Sequence, residues 1–217
     1  MKTIVIASQK GGSGKTMLAA HLAVEAERAG DGPAWLIDTD RQQTLSLWHS
    51  RRKADTPARG TIFPDQIMKG LAILDAGGAA FCFIDTAPTT SSQTENIVSY
   101  ADLVLIPVRP SPSDLWSVGE TVEIVKKLDK PFLFVITQAK QQANITAQAA
   151  AALSEHGRVV QTFIADRVVY AAAMTSGETA PEIMPRGPAS TEINDLWKSI
   201  KHCIIESKHI ERSHAHG

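Results

Sequence analysis

Residues 9–16 read Gln-Lys-Gly-Gly-Ser-Gly-Lys-Thr, between a short apolar run, Thr3–Ala7, and an alanine-rich stretch of helical character, Met17–Ala29. A strand, a glycine-rich turn and a Lys-Thr pair opening a helix together form the context in which such a turn binds phosphate. Backbone N–H groups of the turn and of the first helical residues converge on one point, and that point favours an anion. Gly11, Gly12, Ser13 and Gly14 form the cradle, and Met17 follows at the start of the helix. Lys15 is placed to reach β- and γ-phosphates, and the Thr16 hydroxyl to hold Mg²⁺. A glycine-rich turn with two solvated lysines is the bland alternative, but it leaves the flanking strand and helix unexplained. The motif therefore calls for a fold in which a strand runs directly into a helix beneath a phosphate.

The loop departs from the common form. Gln9 stands five residues before Gly14, where the strict pattern has glycine, and a second lysine, Lys10, precedes the Gly11-Gly12 pair. This Lys-Gly-Gly-x-Gly-Lys-Thr form is the deviant Walker A motif, and with it the chain resembles the ParA/MinD family of ATPases, most closely the short ParF-like members used in plasmid partition. The resemblance implies that Lys10 is the signature lysine that crosses a dimer interface to touch phosphates bound by the other subunit. A cation arriving in trans neutralises phosphate charge and ties ATP binding to self-association.

Two further strand ends carry carboxylates. Ile37-Asp38-Thr39-Asp40 puts two acids at i and i+2, on one side of an extended segment. By resemblance Asp40 orients the attacking water, and Asp38 supports Mg²⁺ waters or lysine contacts. The family has proline at the next position; this chain has Arg41, which removes a rigid turn and adds a cation, while Gln42 matches. Phe81-Cys82-Phe83-Ile84-Asp85 is a Walker B arrangement, with Asp85 expected on the Mg²⁺ side opposite Thr16. The resemblance makes Thr86–Thr90 the loop that senses the γ-phosphate. It also draws adenine recognition from the strand end at Thr137-Gln138-Ala139 and from the segment Ile164–Tyr170.

Apolar runs at Thr3–Ala7, Ala34–Ile37, Phe81–Ile84, Leu103–Pro107, Phe132–Ile136 and Val159–Phe163 read as strands, with a weaker one at Gly60–Phe63. Most are continuous Val, Ile, Leu or Phe, as strands buried on both faces are. Helical patterns fall at Lys15–Ala29, Gln42–Lys53, Pro64–Ala76, Ser113–Lys127, Asn144–His156, Val168–Ser176 and Ser190–Lys208. The alternation predicts an α/β fold: a doubly wound, mostly parallel sheet with helices on both faces. It forms a single domain over 1–208, and 209–217, with His214 and His216, reads as a flexible tail. Residues 106–114, Ile-Pro-Val-Arg-Pro-Ser-Pro-Ser-Asp, stiffen a loop and start a helix at Ser113 or Asp114. In related proteins that loop lies near the dimer interface.

The chain has 217 residues, 43% of them apolar, and a net charge of −1, so DNA binding would need a local patch. Candidates are Arg51, Arg52, Lys53 and Arg59, and Lys198, Lys201 and Lys208. Cys82 and Cys203 have no Cys or His neighbour at zinc-site spacing and read as buried small hydrophobes. The N-terminus lacks a signal-peptide pattern, and no apolar run approaches the ~20 residues of a membrane span. A cytoplasmic protein is expected. Near the C-terminus, Ile193, Leu196, Trp197, Ile200, Cys203 and Ile204 form a stripe that reads as core packing. Glu192, Asp195 and Glu206 dilute its cationic face, so membrane binding is not expected.

The resemblance implies a slow Mg²⁺-dependent partition ATPase for DNA segregation. It cycles between ATP and ADP, forms an ATP-bound homodimer on nonspecific DNA of the nucleoid, and is reset by a small DNA-bound partner. A nucleotide-switched scaffold that positions a protein complex without DNA is the alternative. A ligase or amidotransferase subunit, which shares the loop, would need more chain for its second substrate.

Overall fold

The computed structural model describes residues 1–89, 92–140 and 144–214, with side chains as far as residue 206. In chain order the strands are β1 (Lys2–Ile6), β2 (Ala34–Asp38), β3 (Ala58–Gly60), β4 (Phe81–Asp85), β5 (Leu103–Val108) and β6 (Phe132–Ile136). The α-helices are α1 (Lys15–Arg28), α2 (Thr44–Arg51), α3 (Ile67–Ala76), α4 (Ser92–Ser99), α5 (Pro112–Trp116), α6 (Val118–Lys127), α7 (Asn144–Ser154), α8 (Val168–Ser176), α9 (Ala180–Ile183) and α10 (Pro188–His214). A 3₁₀ turn, Pro64–Gln66, leads into α3.

The strands form one six-stranded parallel sheet in the order β3-β2-β4-β1-β5-β6. Successive side chains point to opposite faces, and both faces are covered. Ile4, Ile6, Leu36, Phe83, Leu105 and Val135 pack with α1 and α10 on one side. Val5, Ile37, Ile84, Val104, Ile106 and Phe134 pack beneath α3, α4, α6 and α7 on the other. Ten of the fourteen residues of α1 are buried, which explains its alanine content: only small side chains let a helix lie under others on nearly all sides.

The register brings the candidate chemistry into one row. Ile6 of β1 is level with Asp85 of β4, and Asp38 of β2 is level with the same aspartate. The loop after β1 therefore leaves the sheet beside both acids, at the carboxyl ends where open α/β sheets bind ligands.

Several boundaries differ from the sequence reading. Val159–Phe163 is not a strand: it runs along β6 and meets it through isolated bridges, Phe134 with Val159 and, further on, Ala139 with Ala165. The weak strand at Gly60–Phe63 is shifted back to Ala58–Gly60, because Ile62 turns out of the sheet to cover Gly70 of α3, where a methyl group would stand 2.5 Å from its Cδ1. The single helix over Ser113–Lys127 is two, broken at Ser117, whose hydroxyl bonds the Asp114 carbonyl. Its first turn is capped by Ser111 rather than Ser113 or Asp114; Pro112 then fills the first helical position, where a missing N–H costs nothing. The pattern over Gln42–Lys53 shortens to Thr44–Arg51, and α4 and α9 were not read from the sequence. Both cysteines are buried, and neither is in a disulfide.

The apolar stripe of α10 belongs to the core: Ile193, Leu196, Trp197 and Ile200 are all essentially inaccessible. The Trp197 indole N–H reaches Asp31 at 2.7 Å, as does Lys201. Among the described residues, no helix is long and apolar enough to cross a membrane.

Candidate functional site

The phosphate loop is held open by two glycines in left-handed backbone, Gly12 at φ 73° and Gly14 at φ 98°, a conformation side-chain-bearing residues rarely adopt. Gly14 caps α1, with its carbonyl accepting from Leu18 N–H. The two residues that follow β6 brace the cradle. Thr137 Oγ1 donates to the Ser13 carbonyl at 2.7 Å, and Gln138 Nε2 to the Gly12 carbonyl at 2.8 Å. Gln138 sits at φ 50°, so this short contact is made from a strained backbone.

The two lysines of the loop are used differently. Lys15 is buried, and its ammonium folds back to the Lys10 carbonyl at 3.1 Å. Burial lowers its pKa, while Asp85 and Asp40 pull the other way. Lys10 engages its neighbours through its backbone, and its half-buried side chain has no hydrogen-bond partner among the described residues.

Thr16 and Asp85 meet as the sequence suggests: Thr16 Oγ1 donates to Asp85 Oδ2 at 2.6 Å. Asp85 is 1% exposed, and its other oxygen, Oδ1, is buried with no hydrogen-bond partner among the described residues. Burial pushes its carboxyl up to about 7; the Thr16 bond opposes this and the charge of Asp38 adds to it. A buried carboxylate with one idle oxygen beside a threonine hydroxyl fits the edge of a Mg²⁺ site. Among the described residues there is no cluster of three or more acids, histidines or cysteines that could cage a metal. That suits Mg²⁺, which keeps waters and substrate phosphates as most of its ligands.

Asp38 and Asp40 flank this pair, but each is engaged locally. Asp38 Oδ1 accepts from Asp40 N–H and Oδ2 from Ser46 N–H at 2.8 Å, in the first turn of α2. Asp40 Oδ1 accepts from Gln42 N–H at 3.0 Å. Thr39 and Thr86 are buried and tie the strand ends together through the carbonyls of Asp85 and Ile6. Arg41 is exposed on the rim of a polar hollow of about 230 Å³ that it shares with Asp38, Asp40 and Arg59. Thr90, expected in the γ-phosphate loop, lies outside the described residues.

Beside the loop, a hollow of about 220 Å³ is lined by Met17, Gln138, Ile164, Ala165, Asp166, Arg167 and Tyr170. The fold thus brings together the two segments that the sequence reading assigned to the base. Arg167 forks with Tyr170 onto Glu192, and this network holds the wall of the hollow.

Several of the candidate basic residues are paired with acids. The Arg52 side chain is 4% exposed and bonds Glu182 through two nitrogens, at 2.7 and 3.0 Å. Lys198 pairs with Asp195 and Lys201 with Asp31. Arg51 and Lys53 remain exposed, while the Lys208 side chain and the His214–His216 tail fall outside the described side chains. Sequence reasoning also passed over Arg109, which lies against Gly12 and grips Asp114. Its only signal was an arginine at a strand's carboxyl end, five residues before an acid.

An all-parallel sheet, a glycine loop running into a buried helix and an acid-ended strand beside it define a P-loop nucleotide-binding protein. The chain belongs to the CobQ/CobB/MinD/ParA nucleotide binding domain family, whose model matches residues 4–180. It is similar to Maintenance of carboxysome distribution protein A of Halothiobacillus neapolitanus, at 27% identity over 91% of this chain and 95% of that one. It is also similar to Protein ParA of Rhizobium radiobacter, at 25% identity over 82% and 84% of the two chains. The fold matches a McdA–ATP complex from Cyanothece with TM-score 0.71 at 20% identity, over 94% of this chain and 96% of that one.

Proposed function

We propose that this chain is a DNA-partition ATPase of the short ParF-like type, in which ATP closes two copies face to face and the closed dimer holds nonspecific DNA. A small DNA-bound protein then stimulates hydrolysis and resets it in the cytoplasm. One observation carries the reading. The loop has two lysines: Lys15 is turned inward onto the loop, while the half-buried Lys10 side chain has no hydrogen-bond partner among the described residues. A lysine spent on neither the fold nor its own loop is free to serve a second copy.

In this reading the loop N–H groups and Lys15 bind the phosphates. Thr16 and Asp85 hold Mg²⁺, with Asp38 steadying the adjacent turn. Held by these residues, Mg²⁺ would supply positive charge against the charge that develops on the phosphates. Asp40 orients the water for in-line attack, and Lys10 arrives from the partner copy. Met17, Gln138 and the Ile164–Tyr170 wall accept the adenine in the hollow they line. Positioning and charge supply nearly all of the rate, so turnover is slow until the partner completes the site.

The similarity to a carboxysome distribution protein along nearly its whole length favours a second reading, in which the same switch positions a protein assembly. Loss of Arg52 from the basic set also weakens the DNA argument. Co-sedimentation with nonspecific duplex DNA decides between them. Partition expects binding with ATP or a nonhydrolysable analogue, none with ADP, and a steep decline with salt. Tight ATP binding with no DNA retention under any nucleotide would leave the scaffold.

A further inference from the structure

β5 ends at Val108, and Arg109 turns toward the phosphate loop of the adjoining β1. A methyl group placed on Gly12 would stand 3.6 Å from Arg109 Nη1. The other two guanidinium nitrogens are committed: Nε donates to Asp114 Oδ2 at 2.8 Å and Nη2 to Oδ1 at 2.9 Å. Asp114 is 2% exposed and also accepts from the Ser111 hydroxyl and the Arg109 backbone N–H. A buried carboxylate taking both arms of the fork fixes the plane of the guanidinium as well as its position. Nη1 has no hydrogen-bond partner among the described residues.

Arg109 spends two donors on a buried acid, and the acid's grip keeps the third beside Gly12, whose carbonyl accepts from Gln138. The Arg109–Asp114 pair is close to neutral, so its contribution is an oriented N–H donor rather than a bare charge. In the strand order, Asp85 of β4 and Arg109 after β5 stand on opposite sides of β1, and so bracket anything bound in the loop.

We propose that Arg109 is a phosphate-contacting residue that donates from Nη1 to the nucleotide held in its own subunit's loop, with Asp114 as its positioning residue. This rests on the reading of the loop as a nucleotide site. The test is equilibrium binding of a nonhydrolysable ATP analogue, ADP and adenosine, with Mg²⁺, at protein concentrations below self-association. Wild type is compared with Arg109→Ala, Arg109→Lys and Asp114→Asn, and thermal melts confirm that each folds. Arg109→Ala should weaken phosphorylated ligands roughly ten- to a hundredfold and leave adenosine unchanged. Arg109→Lys, which keeps charge but loses the fork, should recover only part of the loss. Asp114→Asn should fall between wild type and Arg109→Ala. A larger loss for the ATP analogue than for ADP would put the contact on the terminal phosphate, and an equal loss on an inner one. Unchanged affinities in Arg109→Ala, or a loss seen only where the protein dimerises, would overturn the assignment. Wild type that binds none of these ligands would instead overturn the nucleotide reading of the loop.

Discussion

Asp85 has one oxygen bonded to Thr16 and one with no hydrogen-bond partner among the described residues, in a setting that pushes its carboxyl up to about 7. Its unfolded pKa is near 3.8, so between about pH 4 and 7 the folded state holds the extra proton. Stability from this residue is therefore present at low pH and lost as pH rises through 7, by at most about 4 kcal/mol. His21 slopes the other way. It is fully buried, joins the Met17 carbonyl to the Ala180 N–H, and its pKa is pushed down to about 4, so folding loses stability as pH falls below about 6.5. Comparing Asp85→Asn with wild type cancels the histidine. Without Mg²⁺ the variant should gain in melting temperature relative to wild type as pH rises from 5 to 8. A difference independent of pH would mean that Asp85 is already ionised in the folded protein.

The elements around α2 show how the site is tied to the rest of the fold. Asp38 caps the first turn of α2, and the helix ends at Arg51, next to Arg52, which grips Glu182 of α9 and lies over Trp48 at 5.3 Å. Gly177, at φ 76°, lets the end of α8 touch this corner: a methyl group there would stand 2.5 Å from the Arg52 backbone nitrogen. Arg52→Ala should destabilise by about 3 kcal/mol by leaving a half-buried carboxylate unpaired, and Gly177→Ala by a comparable amount. Denaturant unfolding checks both; a cost below about 0.5 kcal/mol would reduce the clamp to a surface pair. None of this was legible in the sequence, where Arg52 read as one cation among several. The strands β1, β4, β5 and β6 were legible because continuous apolar runs have few other uses. The loop residues and Asp85 were legible because their chemistry requires that spacing. Arg52, Arg109 and the edge segment after α7 were not, because each is defined by a partner distant in the chain or by an edge that pairs only in part.

At the scale of the whole molecule, six strand ends and the loop between them make one face, and that face is chemically incomplete. It holds an inward lysine, a gripped arginine and, among the described residues, an acid oxygen and a lysine ammonium with no hydrogen-bond partner. The central claim is that a second copy completes the face when ATP is present. Sedimentation velocity of wild type and Lys10→Ala, each with ADP, with ATP and with a nonhydrolysable ATP analogue, tests it directly. Wild type should be monomeric with ADP and dimeric with ATP or the analogue, and Lys10→Ala should bind nucleotide yet stay monomeric throughout. A Lys10→Ala chain that dimerises with ATP as wild type does, or a wild type whose mass ignores the nucleotide, would contradict it.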